Sequence, residues 1–109
     1  MILRRNVKII EYSILFDERA DYNINQVKNY ISYILNNPIA AINTATGLKK
    51  QISILKYFPQ IGTIYNQNYS NLRFLIYKNY LIFYEIQEYE KLIIIKTIMH
   101  KRQSRTNLN

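Results

Sequence analysis

From Val7 to Phe16 the chain reads Val-Lys-Ile-Ile-Glu-Tyr-Ser-Ile-Leu-Phe, and its alternation puts Ile10, Tyr12, Ile14 and Phe16 on one face. A two-residue period with β-branched and aromatic members predicts a strand over 7–16. The acids Asp17, Glu18 and Asp21 come next, where the positive end of a helix favours them. Ala20, Ile24, Val27, Ile31 and Ile34 then recur at steps of four and three, which predicts an amphipathic helix over 18–36. Asn36-Asn37-Pro38 interrupts it. Asn37 suits an N-cap, and Pro38 at the first helical position sacrifices no hydrogen bond. A second helix over 38–57 carries Ile42, Ala45, Leu48, Ile52 and Leu55 at helical spacing. Gly47 inside it costs about 1 kcal/mol relative to alanine. The stop is Phe58-Pro59-Gln60-Ile61-Gly62, which cannot continue a helix. So short a junction makes the two helices a hairpin with one shared apolar face.

Thr63 to Ser70 is polar and tyrosine-bearing, and reads as a loop or a short irregular strand. Strands are predicted over 71–77, 80–87 and 92–99, separated by the short polar breaks Lys78-Asn79 and Glu88-Tyr89-Glu90. The last begins Leu92-Ile93-Ile94-Ile95, apolar on both faces, as an interior strand requires. Residues 100–109 form a polar, basic tail. The order is β-α-α-β-β-β, an α+β fold in which a helical hairpin packs on one face of a largely antiparallel sheet.

Composition narrows what such a fold can do. With 109 residues, 49% of them hydrophobic, the chain makes one domain over 1–109 with enough apolar matter for a core. It has no cysteine and one histidine, His100, which excludes a disulfide scaffold, a thiol nucleophile and a zinc knuckle. No apolar run approaches the roughly 20 residues of a membrane span. The opening Met-Ile-Leu-Arg-Arg-Asn lacks the features of a secretory signal. A soluble, cytoplasmic protein without a cofactor or metal is expected. The 20 Ile, 13 Asn, 11 Tyr and 9 Lys all have AT-rich codons, so position carries more meaning than abundance.

Charge adds a partner class. Fifteen Lys and Arg against seven Asp and Glu leave +8. The acids fall in two clusters, Glu11 to Asp21 and Glu85 to Glu90. Six cations and no acid lie between Tyr22 and Tyr84, and five more cations come after Glu90. Such a field steers phosphate backbones or an acidic protein toward the surface. The blander alternative is a soluble protein with a skewed surface. No segment is both strongly amphipathic and densely basic, which speaks against a membrane-surface role.

Several local words in this order resemble the RelE/ParE superfamily of bacterial type II toxin–antitoxin modules. They are Asn37-Pro38-Ile39-Ala40-Ala41 between the helices and Leu55-Lys56-Tyr57-Phe58-Pro59-Gln60-Ile61-Gly62 closing the second. Leu72-Arg73-Phe74-Leu75 before Asn79-Tyr80-Leu81-Ile82-Phe83-Tyr84-Glu85-Ile86 resembles the family's paired middle strands. Ile94-Ile95-Lys96-Thr97-Ile98-Met99-His100-Lys101-Arg102 resembles its last strand and basic end. The resemblance spans the chain from the first strand to about Arg102. It implies a growth-arresting toxin neutralised by a cognate acidic antitoxin, with either DNA gyrase (ParE-like) or the ribosome and its messenger RNA (RelE-like) as target. The fold is common to both branches, so residues must choose between them.

Metal-free RNA cleavage needs a proton acceptor, cations for the developing charge and an acid for the leaving oxygen. The candidates are His100, Arg73, Lys101 and Arg102, which adjacent antiparallel strands would bring to one rim. By resemblance, Arg73 matches a phosphate-gripping arginine of RelE-like nucleases. His100 matches a functional histidine of YoeB-type toxins, and Lys101-Arg102 a basic pair of RelE-type toxins. Arg73, Lys78, Lys101, Arg102 and Arg105 are the candidates for holding a nucleic acid or another target. Each also has a plainer role. His100 would cap or pack a strand end, Arg73 would pair with Glu85 or Glu11, and Lys101, Arg102 and Arg105 would be a solvated tail. Glu85, Glu88 and Glu90 fit an acidic hairpin turn better than a magnesium cluster. Departures from the nuclease pattern favour the ParE-like branch. Leu81 stands where RelE and YoeB relatives carry an arginine, no carboxylate lies between Tyr22 and Tyr84, and no tyrosine occurs after Tyr89. A metal-independent messenger RNA endoribonuclease is the alternative, and an inactive or plain nucleic-acid-binding relative a third reading. Arg73 and Arg102 are both expected to be exposed, so that removing them would leave stability nearly unchanged.

Overall fold

The computed structural model describes residues 10–102. In chain order its main elements are β1 (Ser13–Phe16), α1 (Glu18–Asn29), α2 (Pro38–Ser53), β2 (Thr63–Asn66), β3 (Tyr69–Tyr77), β4 (Tyr80–Gln87) and β5 (Leu92–His100). The sheet runs β1-β5-β4-β3-β2; β1 pairs parallel with β5 and the other three pairs are antiparallel. The apolar start of β5 therefore lies between β1 and β4, in the interior position its composition requires.

The first strand is shorter than the alternation suggests, and residues 7–9 lie outside the described region. Before Ser13 the backbone is drawn elsewhere: the Tyr12 N–H donates to the Lys56 carbonyl at 2.9 Å, and the ladder opens with the Ser13 N–H on Lys91. Tyr12 joins the core, Ile14 and Phe16 pack against it, and Ile10 is exposed.

The Asp17 carboxylate caps α1 by accepting the Arg19 N–H at 3.1 Å. After Asn29 the helix widens over Tyr30–Ile34, where the Leu35 N–H reaches back five residues to Tyr30 at 3.1 Å. One extra residue in a turn rotates the next side chains about the helix axis by about 100°. Ile34, expected on the buried stripe, is consequently 69% exposed. Asn36 at φ 52° then ends the helix two residues earlier than predicted; a short polar side chain tolerates that left-handed conformation.

At α2 the Asn37 side chain accepts the Ala40 N–H at 3.1 Å, and Pro38 opens the helix as its position implies. The buried side is Ala41, Thr44, Ala45, Leu48 and Ile52, and a tight turn over Ile54–Lys56 brings in Leu55. Ile42, expected in that stripe, is 61% exposed; the smaller Ala41 and Thr44 take the inner positions. Gly47 has a reason to be there. A Cβ at this position would overlap the Tyr77 hydroxyl, so β3's phenol lies directly on α2's backbone.

Residues 63–70 resolve the open choice toward a short irregular strand. β2 is four residues long, its register with β3 breaks between Ile64 and Asn66, and β3 starts at Tyr69 instead of 71. In β5, Lys96 is an extra residue between the pairs Tyr84–Ile95 and Phe83–Thr97. Asn23 of α1 fills the gap this leaves: its Oδ1 accepts the Ile98 N–H at 3.1 Å and the Thr97 hydroxyl at 2.8 Å. Leu48, Ile52, Leu55, Ile82, Tyr84, Ile93 and Ile95 are fully buried between the helices and one sheet face. Each apolar side chain of that size contributes about 1.5–3 kcal/mol through burial. No helix among the described residues is long and apolar enough to cross a membrane.

Candidate functional site

Strand register decides which candidate residues can meet. Arg73 stands opposite Tyr84, which stands opposite Ile95. His100 stands opposite Tyr80, which stands opposite Tyr77. Arg73 is thus four residues along β3 from the His100 row, about 13 Å, and two strand spacings across, about 10 Å. The structure does not bring Arg73 to one rim with His100, Lys101 and Arg102, because β4 separates β3 from β5 and the rows are offset.

The side chains also leave the sheet on different faces. Alternation puts Arg73 with Leu75 and Tyr77 on the side that faces the helices. Leu81 projects from the other face, in one row with Ile76 and Met99, and is nearly buried. Position 81 is therefore apolar in its neighbours as well as in itself. Next to that row, Phe83 meets Phe74 with ring centroids 5.7 Å apart and Tyr65 edge-on at 5.3 Å.

Arg73 is half-buried, not exposed as expected. Its guanidinium donates to the carbonyls of Gln60 at 3.1 Å and Gly62 at 2.9 Å. Tyr84 holds the same turn from below: its hydroxyl donates to the Pro59 carbonyl at 2.6 Å and accepts the Gly62 N–H at 3.0 Å. A side chain at Gly62 would overlap the Tyr84 hydroxyl and the Phe74 carbonyl, which is why the turn closes on glycine. Burial pushes the Tyr84 phenol above its usual range, and the Gly62 N–H and the Arg73 charge offset part of that rise. The suggested pairing of Arg73 with Glu85 does not form. Glu85 accepts from Asn71 at 3.2 Å and lies 3.9 Å from the Lys96 ammonium, which also faces Asp17 at 3.8 Å. Glu88 serves Tyr12 at 2.7 Å and Lys91 at 3.7 Å.

At the end of β5, the His100 Nδ1 accepts the Arg102 N–H at 3.1 Å, and the ring stands edge-on to Tyr80 at 5.5 Å. The Lys101 N–H donates to the Asn79 carbonyl at 2.8 Å. His100 thus caps the turn that leaves the strand. Together with α1 it borders an open groove of about 590 Å³ lined also by Arg19, Asn23, Tyr30, Tyr80 and Arg102. Three cationic or titratable side chains and two phenols meet here, and burial with the neighbouring Tyr30 raises the Tyr80 pKa. Sequence reading missed Arg19, Asn23 and Tyr30. Their signal is a second stripe on α1 at steps of four and seven, beside the apolar one. Lys78 sits in the β3–β4 turn at φ 54°, with its ammonium 5.5 Å from the Tyr77 ring centre. Arg105 lies outside the described residues.

The sequence model of the family described as ParE toxin of type II toxin–antitoxin system, parDE, matches residues 14–105. No curated protein matches the sequence. Among solved structures, the chain is similar to the chromosomal ParDE system of P. aeruginosa at TM-score 0.69 and 15% identity, over 83% of this chain and 96% of that one. It is similar to E. coli RelE in the free state at TM-score 0.63 and 14% identity, over 89% and 90%. The RelBE2 toxin–antitoxin complex of Mycobacterium tuberculosis matches at TM-score 0.58 and 13% identity, over 85% and 94%.

Proposed function

The chain belongs to the ParE toxin family of type II toxin–antitoxin systems, and from that membership we propose that it arrests growth by binding DNA gyrase without cutting RNA, and that an acidic antitoxin neutralises it. One observation carries the choice of target. Arg73 does not join the cations at the end of β5 around one phosphate: it faces the helices and holds two carbonyls, and Leu81 lies among Ile76 and Met99 on the other face of the sheet. Loss of a single well-placed charge-stabilising donor lowers a rate by about 10²–10³. The His100 Nδ1, moreover, is engaged with the Arg102 N–H.

Support for the antitoxin comes from charge and from the helical hairpin. The elbow joining α1 to α2 exposes Tyr30, Tyr33, Ile34, Leu35, Ile39 and Ile42 to solvent. Apolar surface concentrated in thirteen residues of sequence suits a partner's helix, and the +8 charge would speed its arrival if that partner is acidic. The RelBE relative similar in fold was solved as a toxin–antitoxin complex.

The test is induction of the protein in bacteria with RNA 5′ ends mapped from the arrested cells, beside a gyrase supercoiling assay. Inhibited supercoiling with messenger RNA intact at early times is expected. Codon-phased cleavage that disappears in His100→Ala, with gyrase unaffected, installs the ribonuclease reading instead.

A further inference from the structure

From Tyr57 to Leu72 sixteen consecutive residues carry no charge, in a chain of net charge +8. This stretch forms the root and most of an arm made of β2 and the start of β3. β2 is the edge strand, exposed along its length. The register of β3 with β4 begins only at Leu72, so the backbone from Tyr69 to Asn71 has β2 as its strand neighbour.

The arm is built to hold its shape. At the tip, the Asn66 Oδ1 accepts the Asn68 N–H at 2.9 Å. On its flank, Tyr65 rests edge-on against Phe83. Its root is clamped by Arg73 on the Gln60 and Gly62 carbonyls and by Tyr84 on Pro59 and Gly62. The arm presents Tyr69, 62% exposed, Tyr65, 38% exposed, and the amides of Asn66, Gln67 and Asn68. Tyrosines among small polar amides give a large, stiff contact area with adaptable hydrogen bonding, and little is lost in ordering them. Two features restrict what they can contact. The register break between Ile64 and Asn66 disfavours addition of a further strand at this edge, so contact runs through side chains. Phosphate backbones are held by cations, and the arm has none.

We propose that the β2–β3 arm is the surface by which this protein grips its target, and that it docks through Tyr69, Tyr65 and its amide tip on an uncharged patch of a protein. The inference rests on the toxin reading above and adds the element that makes the contact. The experiment is induced expression of the full chain in bacteria, scored by colony counts, with thermal unfolding of each purified variant as the folding control. Tyr69→Ser should raise survival at least tenfold with the thermal midpoint unchanged, and Tyr69→Phe, which keeps the ring, should stay close to the parent. Gln67→Lys places a charge at the exposed tip. On an uncharged protein surface it should relieve the arrest, whereas on a nucleic acid it would tighten binding and deepen it. Undiminished arrest by Tyr69→Ser overturns the arm, and deeper arrest by Gln67→Lys overturns the uncharged-protein assignment. A parent chain that leaves growth untouched overturns the toxin reading itself, so the two failures are distinguishable.

Discussion

Tyr84→Phe removes one oxygen from the middle of the protein and should destabilise it well beyond what a missing hydroxyl usually does. The ring stays, so packing against the core is conserved. Lost are the bond to the Pro59 carbonyl and the acceptor for the Gly62 N–H. Gly62 is buried, so its N–H is left without a partner, at about 1–3 kcal/mol; the half-buried Pro59 carbonyl adds less, for a total of about 2–3 kcal/mol. Arg73→Ala removes two bonds from a cation to the same turn. Gln60 is exposed, so solvent discounts that loss to about 2 kcal/mol. A small domain is stable by only about 5–15 kcal/mol, and either change should lower the melting temperature by roughly 10 °C. Because both side chains hold the turn Pro59–Gly62, the double variant should lose less than the two singles together, by about 0.5–1.5 kcal/mol. Urea unfolding monitored by circular dichroism measures all four corners of this cycle. A Tyr84→Phe protein within about 0.5 kcal/mol of its parent, at unchanged m-value, would refute the clasp, and so would strict additivity.

Alkaline titration probes a wider set of residues. Tyr12, Tyr80 and Tyr84 all have pKa values raised above 10.0 in the fold, Tyr12 chiefly through its bond to Glu88 and the other two through burial. The unfolded chain therefore sheds these protons first, so the stability they confer is whole below about pH 10 and falls as pH rises through the folded values. A urea midpoint that stays level from pH 9 to pH 11 would contradict this, and Tyr84→Phe should flatten the fall. Gly47→Ala should destabilise despite alanine's higher helix propensity, because the new methyl meets the Tyr77 hydroxyl; adding Tyr77→Leu should recover the loss, and a stabilised single variant would show that Tyr77 swings away freely. Asn23→Ala should cost about 1–3 kcal/mol by stranding the Ile98 N–H beside the bulge, as thermal unfolding can show.

Much of the architecture was legible because hydrophobic periodicity reports burial on one face, and every main element except β2 buries one. The stripe Ala20, Ile24 and Ile31, the Asn37-Pro38 start, the glycine-closed stop and the interior β5 come from that rule and from local capping chemistry. The misplacements share a cause. Ile34 and Ile42 leave the predicted faces because a widened turn and a preference for small residues between helices are set by packing, not by period. Likewise the 63–70 segment lacks an apolar signal, since β2 is an edge strand with nothing to bury, and only its pairing with β3 defines it. Arg19, Asn23 and Tyr30 gain their importance from a groove formed with β5, and their stripe on α1 does not by itself reveal that strand.

Arg73 shows why a site is harder to read than a fold. Its type suits a phosphate, yet strand parity turns it toward the helices. Position 81 has the opposite parity, so an arginine there would look away from Arg73 across the thickness of the sheet. With Leu81 packed among apolar neighbours, Arg73 binds two carbonyls instead, and the turn it holds gains a fixed geometry. That turn is the root of the uncharged arm. A residue whose charge suggests direct contact with a target therefore acts, in this fold, on where another element stands. The consequence is measurable: Arg73 Nη1 donates both bonds, and Arg73→Lys keeps the charge on a side chain one bond shorter, which leaves its ammonium short of the two carbonyls. If Arg73 gripped a phosphate, the lysine variant should keep much of its activity at unchanged stability. If it clamps the arm, stability should fall nearly as far as in Arg73→Ala, with growth arrest weakened in step.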